Sequence, residues 1–295
     1  MGRASELVTA GIIAASAISA MIWWPNAGQD HPVVRLAEGI PVSPDTELAT
    51  AHPLPVSASE PELPAGTLRA VDLDAGSETF GRPGELADGQ TGLPILTILA
   101  PDLRFPLETG PAFANSQGWG PGGFFGPAGD QCSPANYTPP WQDTFCESGG
   151  GALALCPAGQ GHAGQDIRPS DCQDAVYWAV AAGDGVVTSV GRYSVRLMGE
   201  DGTRFTYLHL DPDSVAVEPG ERIRRGERIG RVSHAFGGTP ATIHLHFEMR
   251  MTFRAGDAGL MSLPVPPYSS VIDAYQRLQR GEDDQTAHEA FRAAP

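Results

Sequence analysis

The chain lacks lysine altogether: all nineteen of its basic residues are arginine, set against thirty-five acidic residues, and its net charge is −16. The acidic excess lies mainly in the flanks. Residues 25–110 carry thirteen acidic against four basic residues, whereas residues 111–281 carry seventeen against thirteen. Because acidic segments repel polyanions, this charge distribution argues against nucleic-acid binding.

The first segment, residues 1–24, contains an uncharged, mostly apolar run over residues 7–24 that ends in two tryptophans. Such a run could nearly span a bilayer as a helix, with the tryptophans at the headgroups. Its small residues, among them Ala15, Ala17 and Ala20, would equally suit an export signal that is cleaved. We therefore expect an exported protein, with residues 1–24 as a signal peptide or a membrane anchor.

The cysteines also exclude a class of site, because no two of them form a C-x-x-C pair. This spacing disfavours a zinc ribbon and a thioredoxin-type redox site. Four clustered cysteines in an exported chain indicate two disulfides instead. They are Cys132, Cys146, Cys156 and Cys172. Three connectivities are possible, and we expect neighbours in sequence to pair, Cys132 with Cys146 and Cys156 with Cys172.

The composition divides the rest of the chain into three segments. Residues 25–110 form a linker rich in Pro, Ala and Glu, in which short apolar runs after residue 66 predict a strand or two packed on the main domain. Residues 111–281 form the main domain, including the cysteine-bearing loop segment. Residues 282–295 form an acidic, solvated tail.

Within the main domain the pattern is typical of short strands separated by turns. Alternating apolar runs predict strands over residues 175–182, 186–190, 193–198, 204–210 and 242–251, and shorter ones around Ile223 and Ile229. Asp201-Gly202, between two such runs, predicts a hairpin. Only Ser270–Gly281 has helical spacing, with Gly281 as its stop. We expect a mainly β fold, an antiparallel sheet with long loops.

Four histidines and one aspartate stand in three clusters of this domain. The clusters are His162-x-x-x-Asp166, the single His209, and His244-x-His246. Neutral imidazoles and a carboxylate are ligands that suit zinc, and a catalytic zinc site has three protein ligands and one open position. Each cluster is weak on its own, so the prediction of a metal site depends on their occurring together.

Strand geometry says which of these side chains can meet. Residues i and i+2 of a strand point to the same side, so His244, His246 and Glu248 should share one face. Gly164 lets the backbone bend so that His162 and Asp166 can turn toward one ion. His209 is expected on a strand, on the same face as its neighbours Tyr207 and Phe205. The remaining histidines, His31, His52, His234 and His288, are assigned to the surface.

From Gly161 to Arg250 the sequence resembles the lysostaphin-type zinc metallopeptidases, the LytM-like peptidoglycan endopeptidases. That family shows H-x-x-x-D, then a histidine after a hairpin strand, then H-x-H within His-Leu-His-Phe-Glu. The resemblance implies one Zn²⁺ per chain, held by His162, Asp166 and His246, and catalytic roles for His209 and His244. Two features depart from the family pattern: Ile243 stands where proline is frequent, and the cysteine-bearing segment is additional.

The resemblance implies a zinc-dependent endopeptidase that hydrolyses peptide cross-links between peptidoglycan stem peptides. It also implies a periplasmic location, with the membrane contacted only through the N-terminal segment. One alternative is a non-catalytic relative that binds peptidoglycan or activates a cell-wall amidase. Another is a metal-dependent hydrolase of a different extracellular peptide. The sequence leaves open which of His209 and His244 is the general base.

Overall fold

The computed structural model describes residues 69–74, 78–126, 129–254 and 260–282. The predicted signal or anchor at residues 1–24, the linker before residue 69 and the tail after Glu282 lie outside the described residues. Within the described ranges, no helix combines the length and the apolar character that crossing a bilayer requires.

Regular structure over these residues consists of ten strands, one α-helix and two short 3-10 helices, Ala87–Gly89 and Pro134–Tyr137. The strands are β1 (Phe113–Ala114), β2 (Gln165–Arg168), β3 (Trp178–Val180), β4 (Gly185–Val190), β5 (Ser194–Gly199), β6 (Arg204–Leu208), β7 (Arg222–Ile223), β8 (Arg228–Arg231), β9 (Leu245–Arg254) and β10 (Leu260–Val265). The helix is α1 (Tyr268–Gln279). A mainly β fold is thereby confirmed.

The longest strand, β9, is the centre of an eight-stranded sheet with the order β1-β2-β9-β6-β5-β4-β7, in which β10 also pairs with β9. Every pairing in this sheet is antiparallel. Strand β6 lies along one edge of β9, while β2 and β10 share the other edge, β2 beside its start and β10 beside its end. β3 and β8 form a separate two-stranded sheet.

One face of the large sheet supplies the core. Residues at alternate positions of β9, namely Leu245, Phe247 and Met249, are fully buried. They pack with apolar residues of β5 and β6 and with the inner side of α1. This arrangement leaves the alternate residues of β9, beginning at His246, on the opposite face, which is where the candidate site lies.

Residues 69–110 contribute to the same core, although no strand forms among those described. Phe80 and Phe105 pack around Trp141 and Tyr275, with ring centroids between 4.5 and 6.3 Å apart. Isolated bridges, such as Ala70 with Thr97, replace the strand or two that the apolar runs predict. Their frequent Gly and Pro residues interrupt strand pairing without preventing the burial of the apolar side chains between them.

Several predicted elements are present with shifted bounds. The helix begins two residues earlier than expected, directly after Pro267, and Gly281 follows it with φ of 68°. The strand predicted over residues 175–182 shrinks to Trp178–Val180. Strand β10 was not predicted; its register against β9, from Leu260 opposite Arg254 to Val265 opposite Met249, makes it the second strand of a hairpin.

The disulfides join Cys132 to Cys172 and Cys146 to Cys156. Both expected pairs, Cys132 with Cys146 and Cys156 with Cys172, are therefore wrong. The chain from Cys146 to Gly161 forms a loop whose two ends lie close together, and within this loop Cys156 lies beside Cys146. Gln131 is bound through its carbonyl to Arg168 of β2, and this contact holds the preceding loop near the chain that leaves β2 toward Cys172.

A peptide map of the unreduced protein tests this connectivity. Cleavage after acidic residues in the denatured protein places each cysteine on its own fragment: residues 131–143, 144–147, 148–166 and 172–174. We expect mass spectrometry to find 131–143 joined to 172–174 and 144–147 joined to 148–166, since those cysteines are adjacent in the fold. Reduction before analysis is the control and should release all four fragments singly.

A covalent link between fragments 131–143 and 144–147 would contradict the structure and restore the pairing expected from the sequence.

Candidate metal centre

Three candidate ligand atoms converge at the start of β9. The Nε2 atom of His162 lies 2.7 Å from Nδ1 of His246 and 3.2 Å from Oδ1 of Asp166. Nδ1 of His246 and Oδ1 of Asp166 are 3.1 Å apart. The side chains of Asp166 and His246 are buried, at 5% and 10% exposure, and that of His162 is 20% exposed. Thus the residues that the sequence predicts as ligands do meet.

Strand register brings two of the three together. In the pairing of β2 with β9, Asp166 stands directly opposite His246. His162 precedes β2 and is fixed by two backbone hydrogen bonds: its carbonyl accepts from the Cys146 N–H at 2.9 Å, and its N–H donates to the Glu147 carbonyl at 2.8 Å. The chain around the disulfide at Cys146 therefore positions the first candidate ligand.

Gly164 has a different role from the backbone bend that the sequence suggests. A Cβ atom at this position would stand 2.7 Å from the Phe247 carbonyl oxygen and 2.9 Å from Cε1 of His246. Only a residue without a side chain allows the chain between His162 and Asp166 to pass this close to β9. The glycine is needed for space beside the candidate ligand.

In His162 and His246, the ring nitrogen that points away from the cluster determines whether the nitrogen that points into it can bind a metal. Nδ1 of His162 lies 2.9 Å from the Thr144 carbonyl oxygen, and Nε2 of His246 lies 3.0 Å from Oε1 of Glu248. Since a carbonyl or a carboxylate can only accept, each of these nitrogens carries the proton of the neutral ring. The inner nitrogens then present lone pairs to one another and to the Asp166 carboxylate, an arrangement that favours a bound cation.

The electrostatics of the cluster favour positive charge. Burial alone would raise the pKa of the Asp166 carboxyl, but His162 and His244 outweigh it and hold that pKa well below its usual range. Burial likewise lowers the pKa of His246, yet its contacts with Asp166 and Glu248 raise it to about 10. The cluster thus keeps its carboxylate ionised and favours a positive charge beside it, which a proton on His246 supplies in the absence of a metal.

His209 and His244 lie beside the candidate ligands. Their ring centroids are 4.4 Å apart, and Nε2 of His244 is 3.5 Å from Oδ1 of Asp166. Nδ1 of His209 lies 3.0 Å from the Ala235 carbonyl, and Nδ1 of His244 lies 2.9 Å from the Thr242 carbonyl. In both rings the proton of the neutral form therefore resides on Nδ1, and Nε2 is left as an acceptor.

Both of these imidazoles are uncharged at neutral pH. Burial lowers the pKa of His244 to about 4, with the nearby Arg168 adding to the effect against the opposing charge of Asp166. Burial and the neighbouring His244 hold the pKa of His209 well below its usual range. A pair of neutral imidazoles beside a cation site can accept protons in hydrolytic chemistry.

The expected placement of His209 on a strand face with Tyr207 and Phe205 is wrong. Strand β6 ends at Leu208, and His209 takes a left-handed conformation with φ of 66°. Continued extension would turn its ring into the core beside Tyr207, because Tyr207 pairs with Phe247 while Leu208 pairs with His246. The left-handed residue instead directs the ring toward His244.

Four further polar residues support the site. Thr144 binds His162 through its carbonyl and accepts the Asp166 N–H at its hydroxyl, and Glu248 binds His246. Gln117 accepts a hydrogen bond from the Thr242 hydroxyl, and the side chain of Gln131 accepts one from the Ile243 N–H. The alternation of β9 identifies Glu248 from sequence alone, whereas no sequence pattern marks the other three. His234 is exposed and pairs with Asp174 outside the cluster.

Similar proteins of known structure include a candidate glycyl-glycine endopeptidase LytM from Ruminococcus gnavus, at 27% identity and a TM-score of 0.32, covering 38% of this chain and 47% of that one. Lysostaphin from Staphylococcus simulans matches at 21% identity and a TM-score of 0.29, covering 38% and 45%. A zinc-containing peptidase from Vibrio cholerae matches at 24% identity and 0.26, covering 39% and 32%. The present chain thus spans less than half the length of these relatives.

No curated protein matches the chain significantly. The family comparison is more specific, because residues 160–258 match Peptidase family M23. That range includes all five clustered residues, from His162 to His246. The resemblance to lysostaphin-type, LytM-like peptidases is thereby confirmed for this segment of the chain.

Proposed function

We propose that this protein is a zinc-dependent endopeptidase that hydrolyses peptide cross-links of peptidoglycan. The observation that carries the proposal is that one candidate ligand atom from each of His162, Asp166 and His246 converges at one point. The neutral imidazoles of His209 and His244 lie beside this point. Three protein ligands leave a tetrahedral ion one open position for the reaction. The match of residues 160–258 to peptidase family M23 supports hydrolysis of a peptide bond.

The donor set fits zinc by its chemistry: two imidazole nitrogens with lone pairs and one ionised carboxylate oxygen, each oriented by an outer hydrogen bond. When bound, zinc supplies the Lewis acidity that activates water near neutral pH and polarises a carbonyl. His162, Asp166 and His246 are its proposed ligands. Their outer hydrogen bonds fix their orientation.

The two remaining histidines move the protons. His244 accepts a proton from the attacking water at Nε2 and delivers it to the leaving amine. His209 stabilises the negative charge that develops on the scissile carbonyl oxygen. It does so after taking up a proton from solvent at Nε2, because an oxyanion beside the ring raises the pKa that burial lowers. In this assignment only the neutral resting state of His244 is required for the first step.

Cell-wall peptide is the proposed partner, and the periplasm the proposed location, with residues 1–24 as a signal peptide or an inner-membrane anchor. The apolar run at residues 7–24 supports export, and two disulfides suit a compartment outside the cytosol. The acidic flanks argue against a nucleic acid as partner. A non-catalytic binder of peptidoglycan or an amidase activator would bind the same polymer without cutting it.

Removing the ligand on β9 should abolish both metal binding and activity. With His246→Ala, zinc loses one of three ligands, and we expect the purified protein to contain almost no zinc and to release no cleaved cross-links from peptidoglycan. Elemental analysis and chromatography of the digest measure the two effects. The matched control is His234→Ala, an exposed histidine outside the cluster, which should retain both.

Zinc-free His246→Ala protein that still cleaved cross-links would contradict the proposed mechanism.

Replacing the imidazole next to His244 should separate chemistry from metal binding. His209→Ala keeps all three proposed ligands, so the variant should bind zinc as the natural protein does while kcat falls on the order of 10²-fold or more. Steady-state kinetics on a cross-linked muropeptide, together with zinc content, test this. If zinc were lost along with activity, His209 would belong to the ligand set and the assignment would be wrong.

The carboxylate that binds the outer nitrogen of His246 should tune metal affinity. Glu248→Ala removes the acceptor that orients His246 and fixes the proton of its neutral ring on Nε2, so we expect zinc affinity to fall by about 10–100-fold. Competition with a chromophoric chelator gives the affinity. The control is Glu218→Ala, an exposed carboxylate remote from β9, which should leave it unchanged. Equal affinities for the two variants would show that Glu248 does not orient the ligand.

A further inference from the structure

The solvent face of the sheet continues beyond the candidate metal centre. On β9 the residues after His246 on this face are Glu248 and Arg250, and β6 places Thr206 and Arg204 directly opposite these two. Glu248 and Thr206 are half-buried and Arg204 is exposed. The strand alternation thus makes a polar surface that leads away from the metal centre along β9.

Arg204 and Arg250 stand directly across from each other on this face. Side chains in such positions start about 5 Å apart, and two like charges there are unfavourable. An acidic residue between them would relieve the repulsion, but the two carboxylates that flank the pair among the described residues bind other groups. Glu248 binds His246 and Thr206, and Asp201 accepts hydrogen bonds from the backbone and the hydroxyl of Thr203.

The arginine pair retains donors for a ligand. Arg250 uses one guanidinium nitrogen to donate to the Ser262 carbonyl at 2.8 Å, a contact that anchors the side chain across β10. Arg204 lies in solvent on the neighbouring strand. A guanidinium presents five donors in a planar fork that matches a carboxylate, and two forks can bind one carboxylate more tightly than either alone.

We propose that Arg204 and Arg250 form a subsite for a carboxylate of the substrate peptide. This inference rests on the proposed peptidase function and adds the chemical class of substrate: an acidic peptide. Arg250 is four residues along β9 from His246, a span of about 13 Å in a strand. An extended peptide with its scissile bond at the metal centre would place a carboxylate a few residues away over the pair. Stem peptides with glutamate and diaminopimelate carry such carboxylates.

The test uses the full zinc-loaded chain and two synthetic substrates of one sequence. One is a cross-linked stem peptide with free glutamate and diaminopimelate carboxylates, and the other has these groups amidated. For Arg204→Gln/Arg250→Gln, we expect KM for the acidic substrate to rise about tenfold with kcat little changed. KM for the amidated substrate should stay the same. Circular dichroism verifies folding, and Arg204→Gln alone, at an exposed position, repeats the test should the double variant not fold.

Two further variants separate the subsite from a general charge effect. Arg224→Gln removes an exposed positive charge after β7, at the far edge of the sheet, and should leave both KM values unchanged. Arg204→Lys keeps the charge but loses the fork, so its KM should lie between those of the natural protein and Arg204→Gln. A KM for the acidic substrate that the double variant leaves unchanged, or that Arg224→Gln raises equally, would overturn the proposal.

Binding measured by calorimetry keeps this inference distinguishable from the proposed function. Should the protein cleave neither peptide, yet bind the acidic one more tightly than the amidated one in a way that the double variant abolishes, the peptidase proposal fails and the subsite stands. Should it cleave both peptides with equal KM in every variant, the peptidase proposal stands and the subsite fails.

Discussion

The site depends on one constraint: the alternation of side chains along β9. Leu245, Phe247 and Met249 are fixed in the core, so the residues between them must face the other side of the sheet. The pairing with β2 then sets Asp166 directly opposite His246. A shift of β9 by one residue would turn the His246 imidazole into the core. A shift of one residue between β2 and β9 would move Asp166 away from its position opposite His246. The hydrophobic core therefore specifies where the candidate ligands lie.

Hydrogen bonds to the outer ring nitrogens fix the position of the proton in each neutral imidazole. Each imidazole of the cluster donates its outer proton to a fixed acceptor, a backbone carbonyl for three of them and the Glu248 carboxylate for His246. In the neutral rings the inner nitrogens are therefore lone pairs, in a pocket that also contains one ionised carboxylate. Burial keeps His209 and His244 neutral, so two proton acceptors lie beside the cluster of candidate metal ligands.

Local patterns in the sequence predicted seven of the ten strands, the helix and the five clustered residues, because strand alternation and H-x-H spacing are properties of neighbouring residues. They did not predict features that depend on distant contacts. The left-handed conformation of His209, the disulfide between Cys132 and Cys172, and the support from Thr144 each require knowledge of which segments meet. Residues 69–110 illustrate the same limit, since their Gly and Pro residues suggest a linker while their apolar side chains complete the core.

The most direct test of the account is a crystal structure of the zinc-loaded protein with anomalous scattering measured at the zinc edge. The account predicts one anomalous peak per chain, within about 2.0–2.2 Å of Nε2 of His162, Oδ1 of Asp166 and Nδ1 of His246. Neither His209 nor His244 should lie within bonding distance of it. A peak elsewhere, or an ion that either of these two histidines ligates, would contradict the assignment on which the proposed mechanism depends.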